Sequence, residues 1–334
     1  MNAPLPPVGT MKAILQPAYG QPDILVLGNV ARPQMQDDGV LVRVVAASLN
    51  KADWHFLTGA PYLFRLSGVG FTRPHKPILG MAMAGRVEAV GANVKAFRVG
   101  DEVFGEIDRG AFAEYVCVTE KELAHKPATL SFEETATLPL AGTTALQGLR
   151  DAGRLQPGQS VLINGAAGGV GTFAVQIAKS LGAEVTGVCS TGNVALVRSI
   201  GADHVVDYTQ EDFTRQDRRY DVLFDLVGNQ PLSACRRVLK EQGRLVSSSG
   251  GAEHAWVGPM VLLLTGMASN LYSRQPFVPL VARPDPADLL ALRAFVEAGQ
   301  VKPVVDRRYT LAEVPEAMRY LGQGRTRGKS VITL

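Results

Sequence analysis

Cysteine is scarce in this chain: 334 residues carry three, Cys117, Cys189 and Cys235. They lie far apart, so neither a disulfide framework nor a Cys-x-x-Cys zinc site is expected. An excess of one charge sign is also missing. Thirty-four basic residues stand against thirty-one acidic ones, for a net charge of +3. That balance argues against a nucleic-acid partner, which needs a clustered basic face. Long apolar runs are absent too. The most apolar window, Trp256 to Met267, is interrupted by Gly258, Pro259 and Gly266, and it falls short of the ~20 residues that cross a bilayer. Met1 to Thr10 has no basic stretch followed by an apolar one. It reads as a Pro-rich flexible extension and not as a signal peptide. A soluble cytoplasmic protein without a membrane partner is the expectation.

What the chain does have is apolar content, at 46%, and 35 glycines. Its length implies about two domains at ~150 residues each. The first third is β-rich. Val40 to Val45 follows a turn at Asp37 to Gly39, and Gly85 to Gly91, Glu102 to Phe104 and Ala113 to Val118 are further short strands. Such spacing predicts a small barrel or sandwich. Ser131 to Glu134 is a capping box that opens a helix. From Gln156 to Gly251 strands alternate with helices. Strands fall at Ser160 to Asn164, Glu184 to Cys189, Val205 to Val206, Tyr220 to Leu226 and Arg244 to Ser248, with helices at Gly169 to Leu181 and Val194 to Ile200. This alternation predicts a parallel sheet covered on both faces. Helices at Pro286 to Glu297 and Leu311 to Leu321 and a strand at Ser330 to Leu334 complete the tail. The α/β unit reads as an insertion between two parts of the β-rich domain.

The most informative segment runs from Val161 to Gly171, with glycines at 165, 168, 169 and 171. A β-branched strand precedes it and a periodic helix follows. One glycine permits the tight turn, one lets a pyrophosphate approach the backbone, and one lets helix and strand pack closely. The helix then aims unpaired N–H groups and its positive end at the phosphates. An acidic residue at the end of the next strand would select NAD over NADP. Here Cys189 is followed by Ser190, Thr191, Gly192 and Asn193, and Glu184 lies at the wrong end. Hydroxyls, an amide and Arg198 on the next helix can serve a 2′-phosphate, which favours NADPH. The same hydroxyls can instead cap that helix.

With these residues in view, the chain resembles the medium-chain dehydrogenase/reductase superfamily, in its zinc-free quinone oxidoreductase-like branch. The resemblance runs from Met11 almost to the end. It rests on Met11 to Ile14, Ala47 to Trp54, Ile78 to Gly85, Val99 to Phe104, Leu140 to Leu146, the glycine loop, Gly201 to Tyr208 and Arg327 to Ile332. It implies an α/β fold: a GroES-like β-rich catalytic domain in two segments around a Rossmann domain with a doubly wound parallel sheet. The segments expected are an extension over 1–10, a catalytic domain over 11–136 and 273–334, and the NADP-binding domain over 137–272. It also implies that Asn50 and Thr143 lie near the nicotinamide and that Gly168, Gly169 and Val170 hold the pyrophosphate. Ser190, Thr191 and Tyr208 surround the adenosine phosphate, Ser249, Gly250 and Gly251 flank the nicotinamide, and Lys329 belongs to the cofactor set. Relatives often carry a cation just after the Ser-Thr pair. Gly192, Asn193 and Val194 stand there instead, so NADH use stays open.

Zinc-dependent relatives place Cys where Asn50 falls, His where Met81 falls, and Cys near Leu138 to Leu140. Their four-cysteine lobe is replaced by the short connection Gly105 to Gly110. No metal is therefore expected. Without a Lewis acid, reduction of an electrophilic acceptor is easier than oxidation of an alcohol. The expected activity is NADPH-dependent hydride transfer to a quinone or an α,β-unsaturated carbonyl. The candidate catalytic residues are Asn50 as a donor to the developing oxyanion, Asp53 as an orienting group and Tyr62 as a weaker candidate. Trp54, Phe56, Phe64 and Phe71 are candidates for an apolar wall, and His55 for the cleft. An alcohol dehydrogenase-type activity and a non-catalytic nucleotide-binding scaffold are the alternatives. The partners expected are a small electrophilic acceptor and a second copy of the chain, with Trp256 to Met267 as interface, flap or core.

Overall fold

The computed structural model describes residues 9–67, 69–248 and 260–334. Two units emerge from its contacts. One gathers the chain up to Leu140 together with Pro284–Glu297 and Val305–Leu334; the other holds Ala141–Arg283 and Ala298–Val304. Residues 1–8 of the expected extension lie outside the described residues.

In chain order, the first unit begins with β1 (Thr10–Leu15), β2 (Val26–Ala31) and β3 (Gly39–Ser48). Helix α1 (Lys51–Thr58) follows, then β4 (Ala82–Val90), β5 (Glu102–Glu106), β6 (Tyr115–Thr119), β7 (Leu123–His125) and the short α2 (Phe132–Thr135). The second unit runs through α3 (Ala141–Leu146), β8 (Ser160–Asn164), α4 (Gly169–Ser180), β9 (Glu184–Cys189) and α5 (Val194–Ser199). It continues with β10 (His204–Asp207), β11 (Tyr220–Asp225), α6 (Leu232–Arg237), β12 (Leu239–Ser247), α7 (Met260–Ser269) and β13 (Phe277–Pro279). The chain then returns with α8 (Pro286–Glu297), β14 (Val305–Thr310), α9 (Val314–Gly322) and β15 (Lys329–Thr333).

Period-2 burial builds the first unit. Along β3, Val40, Val42, Val44 and Ala46 point inward and are at most 3% exposed, while Arg43 faces solvent. β3 is the hub of a seven-stranded sheet of order β14-β15-β3-β4-β5-β7, with β6 also paired to β3. The last strand, β15, lies antiparallel to β3 with Val331 opposite Ser48. Continued by two residues, that register brings the start of β15 beside Asn50, 279 residues earlier.

The second unit is a six-stranded sheet of order β10-β9-β8-β11-β12-β13, parallel throughout. Its strands are short and apolar because both faces are covered; every residue of β8 is buried. The order reverses between β8 and β11, the crevice where open α/β sheets bind ligands. The expected doubly wound parallel sheet is therefore present. Its sixth strand, β13, comes from beyond residue 272.

Candidate functional site

The glycine loop follows β8, the strand at which the order reverses. Gly165 makes the turn at φ +89°, a region that side chains other than glycine's rarely tolerate. Its N–H and that of Ala166 both donate to the Val188 carbonyl, at 3.2 and 3.0 Å, which fastens the loop to β9. A Cβ on Gly171 would sit 2.1 Å from the Gly165 carbonyl oxygen, so α4 can lie this close to the turn only without a side chain there. Gly168 is the N-cap of α4 and supplies no side-chain cap. Gly168, Gly169 and Val170 are half-buried, whereas the next residues of the helix are buried. The first N–H groups of a 12-residue helix thus open on solvent with no side chain to satisfy them. That arrangement suits a diphosphate.

At the end of β9, Ser190 and Thr191 both have local partners. Ser190 Oγ accepts from Asn193 Nδ2 at 3.1 Å, and the Thr191 and Thr209 hydroxyls are 2.8 Å apart. Both threonines belong to the surroundings of Asp207, whose carboxylate accepts from the Thr209 N–H and hydroxyl at 3.0 and 2.8 Å. These bonds, Thr191's foremost, hold Asp207 below the usual carboxylate range. Asp207 escaped the sequence reading because it ends the third strand, not the second; parallel pairing sets it opposite Cys189. Cys189 feels the fields of both Asp207 and Arg198, although burial is what chiefly pushes its thiol up to about 11. One anion and one cation therefore stand near the strand end. Tyr208 is 57% exposed. Glu184 sits at the far end of β9, bonded to His204 and Arg218.

Sequence reading also missed a buried polar cluster across the reversal point. Asn164 Nδ2 donates to Asp225 Oδ1 and Asn229 Oδ1, both at 2.9 Å, and Asp225 Oδ1 also accepts the N–H groups of Val227 and Gly228. The polar ends of two otherwise apolar strands were the available signal. Thr143 is fully buried in α3. Ser249, Gly250 and Gly251 lie outside the described residues, as do Trp256 to Pro259.

A second cluster belongs to the other unit. Asn50 begins α1 as its N-cap and is 5% exposed. Its N–H donates to Asp53 Oδ2 at 2.8 Å, and Asp53 Oδ1 accepts from the Gly80 N–H at 3.1 Å. Asp53 has no exposed surface. Lys329 is 3% exposed; its ammonium donates to the Leu49 carbonyl at 2.6 Å and to Asn50 Oδ1. Asn50 Nδ2 donates to the Ser48 carbonyl at 3.1 Å. Burial pushes Asp53 up to about 6 and Lys329 down to about 7, against the attraction between them. Of the expected residues, Asn50, Asp53 and Lys329 are brought together, and Tyr62 is not among them. Tyr62, itself 37% exposed, lies in the turn Tyr62–Ser67, with the Arg65 guanidinium 4.7 Å from its ring.

The proposed apolar wall is only partly assembled. Phe56 carries the Arg109 guanidinium 4.7 Å above its ring, and Trp54 packs on Gly322. Phe71 is 68% exposed, and the side chain of Phe64 lies outside the described residues. His55 Nδ1 meets the Ala60 carbonyl at 2.9 Å, and burial lowers its pKa. Among the described residues no three His, Cys, Asp or Glu side chains converge as metal ligands do.

Comparison with known proteins agrees with both halves. Residues 36–128 match the family described as Alcohol dehydrogenase GroES-like domain, and residues 200–332 the one described as Zinc-binding dehydrogenase. The chain is 37% identical to 2-methylene-furan-3-one reductase of Solanum lycopersicum, over 96% of this chain and 79% of that protein. It is 34% identical to the chloroplastic NADPH-dependent alkenal/one oxidoreductase of Arabidopsis thaliana, with the same coverage. The solved quinone oxidoreductase of Coxiella burnetii superposes with a TM-score of 0.83 at 30% identity, covering 98% of this chain and all of that one.

Proposed function

Because the chain belongs to the medium-chain dehydrogenase/reductase superfamily, in its quinone oxidoreductase-like branch, and is an NAD(P)H oxidoreductase, we propose that it reduces quinones or α,β-unsaturated carbonyls with NADPH and without zinc. The observation that carries this reading is the bond from the Lys329 ammonium to Asn50 Oδ1. By the resemblance, Asn50 falls where zinc-dependent relatives carry a thiolate, and the Lys329 ammonium is bonded to it. A second positive charge beside an ammonium is repelled, and the amide is a poor zinc ligand.

In this reading Gly168, Gly169 and Val170 receive the pyrophosphate on the open end of α4. Ser190, Thr191, Tyr208 and Arg198 take the adenosine end. The bound nicotinamide supplies a hydride. Asn50 offers its remaining Nδ2 hydrogen to the oxygen that becomes an enolate or a phenolate, and donors aimed at developing charge are effective in a dry site. Water supplies the proton. Arg198 favours the 2′-phosphate, while Asp207 repels it, so NADH is accepted as a second cofactor. Relative KM values for the two cofactors in Arg198→Ala and Asp207→Asn test that balance: the first should favour NADH and the second NADPH.

The reading extends to assembly and setting. α7 and the turn after it expose Leu264, Met267, Leu271 and Tyr272 at 54–86%, an apolar face suited to a second copy of the chain. Light scattering should give twice the 35.6 kDa chain mass, falling to the monomer in Leu271→Glu/Tyr272→Glu. The free thiols Cys117, Cys189 and Cys235 suit a reducing, cytoplasmic compartment. No helix of the described residues is long and apolar enough to cross a membrane.

The deciding assay follows NADPH oxidation against a panel of quinones and α,β-unsaturated ketones, with and without a zinc chelator. Turnover unaffected by the chelator is expected. Cofactor binding without turnover, or alcohol oxidation that zinc restores, overturns the reading.

A further inference from the structure

Asn50 is held from both sides by groups that leave its amide one orientation. On one side stands the Lys329 ammonium, which can only donate; on the other stands the Ser48 carbonyl, which can only accept. Rotating the amide by half a turn would set its NH2 against the ammonium and its oxygen against the carbonyl. One Nδ2 hydrogen is used by Ser48. The second makes no further bond of good geometry among the described residues, although the Asp53 carboxylate beside it also feels the amide as a donor. The backbone of Asn50 is fixed separately, through its N–H on Asp53, and Asp53 is tied in turn to Gly80.

Resting on the function proposed above, we propose that Lys329 and Asp53 are positioning residues that lock the Asn50 amide with its second N–H presented as a donor, Lys329 also strengthening that donor by polarising the amide through Oδ1. A cation on the amide oxygen draws electron density from the nitrogen, and the low local dielectric magnifies the effect. Lys329 thus acts through Asn50 and does not need to reach the cofactor.

The protonated state of Lys329 is the one that locks the amide. Burial lowers its pKa to about 7, and Asp53 is the partner whose charge opposes that fall. Other charges on the elements packed against β15 are committed elsewhere. On β14, Arg308 pairs with Glu133 of α2, Asp306 accepts from the Tyr320 hydroxyl, and Arg307 lies 3.9 Å over the Tyr320 ring. Glu134 of α2 caps Ser131, and Arg43 of β3 faces solvent. On α1, Lys51 is exposed and His55 meets the Ala60 carbonyl.

The test is a kinetic cycle over Asn50→Ala, Lys329→Met, Lys329→Gln and Lys329→Arg. Lys329→Met should lower kcat by about 10²-fold, as loss of an aimed donor does, while the cofactor KM changes little. Adding it to Asn50→Ala should cost nothing more. Lys329→Arg should recover most of the rate and abolish the fall in kcat expected of wild type as pH rises past neutrality. If Lys329→Met cannot be purified folded, Lys329→Gln takes its place. An increase in cofactor KM at unchanged kcat, or losses that multiply in the double variant, overturns the proposal. Wild-type turnover on the acceptor panel tests the underlying function alone. A second arm needs no turnover: the Asn50 side-chain 15N signal, identified by its loss in Asn50→Ala, should show a Lys329 step near pH 7 in wild type and lose that step in Lys329→Gln, where only Asp53 remains beside it to titrate. Identical movement in both proteins also overturns the lock.

Discussion

A carboxylate with no exposed surface, as at Asp53, is tolerable only while something answers its charge. Two backbone N–H groups and the nearby ammonium of Lys329 do so. Removing one member strands the other. Asp53→Ala or Lys329→Met should each cost about 3–5 kcal/mol in urea unfolding, whereas replacing both charges together should cost clearly less than the sum. Equal additivity would show that the two charges do not support one another. Asn50 and Asp53 were named through the resemblance in the stretch Ala47 to Trp54, but that they head a helix and bond one another was not legible. Nor was the bond to Lys329, because it depends on β15 aligning with β3 across 279 residues. Asp207 was hidden for a similar reason: its relevance comes from lying opposite Cys189.

Elements with strong local signals were read closely. The strand Glu184–Cys189 and the helix Pro286–Glu297 have the predicted bounds, and α4 begins at Gly169 as expected. The elements that went unread are weakly patterned or very short. α1 spans eight residues with only Asp53 and Leu57 buried, and β13 has three residues whose strand character comes from pairing with β12. The glycine loop was legible because its constraints are local, and two substitutions separate its two jobs. Gly171→Ala forces a Cβ onto the Gly165 carbonyl oxygen at 2.1 Å, so it should destabilise the protein by about 1–3 kcal/mol or more. Gly168→Ala meets only that same oxygen, at 3.4 Å. It should stay within about 0.5 kcal/mol of wild type yet weaken cofactor binding, because the new methyl group crowds the open end of α4. Thermal melts and fluorescence titration with NADPH separate the two; equal melting temperatures would refute the assignment of roles.

For the whole molecule the buried pair makes stability depend on pH in opposite directions. Lys329 titrates near 7 when folded and near 10.5 when unfolded. Between those values the unfolded chain holds a proton the folded chain lacks. This stabilising contribution is full above 10.5 and is lost as pH falls through about 7. Asp53 runs the other way: raised from 3.8 to about 6, its contribution is full below 3.8 and lost as pH rises through about 6. The stability of wild type relative to Lys329→Met should therefore grow as the buffer is taken from neutral toward pH 10.5, read as urea midpoints at stepped pH. A constant difference would mean that Lys329 keeps an ordinary pKa.

The chain changes units at 140/141, 283/284, 297/298 and 304/305. The last brief visit, Ala298–Val304, is tied in by Gln176 of α4, whose amide donates to the Lys302 carbonyl at 3.0 Å and accepts the Lys302 N–H at 2.8 Å. One side chain thereby imitates the paired edge of a neighbouring strand. Anyone excising 141–283 as a self-standing nucleotide module would cut away that mate and leave a largely buried amide facing water it was never shaped to meet. A seven-residue peptide spanning 298–304, added back to such a fragment, becomes the natural reagent for asking how much of the module's integrity arrives from the far side of the cut.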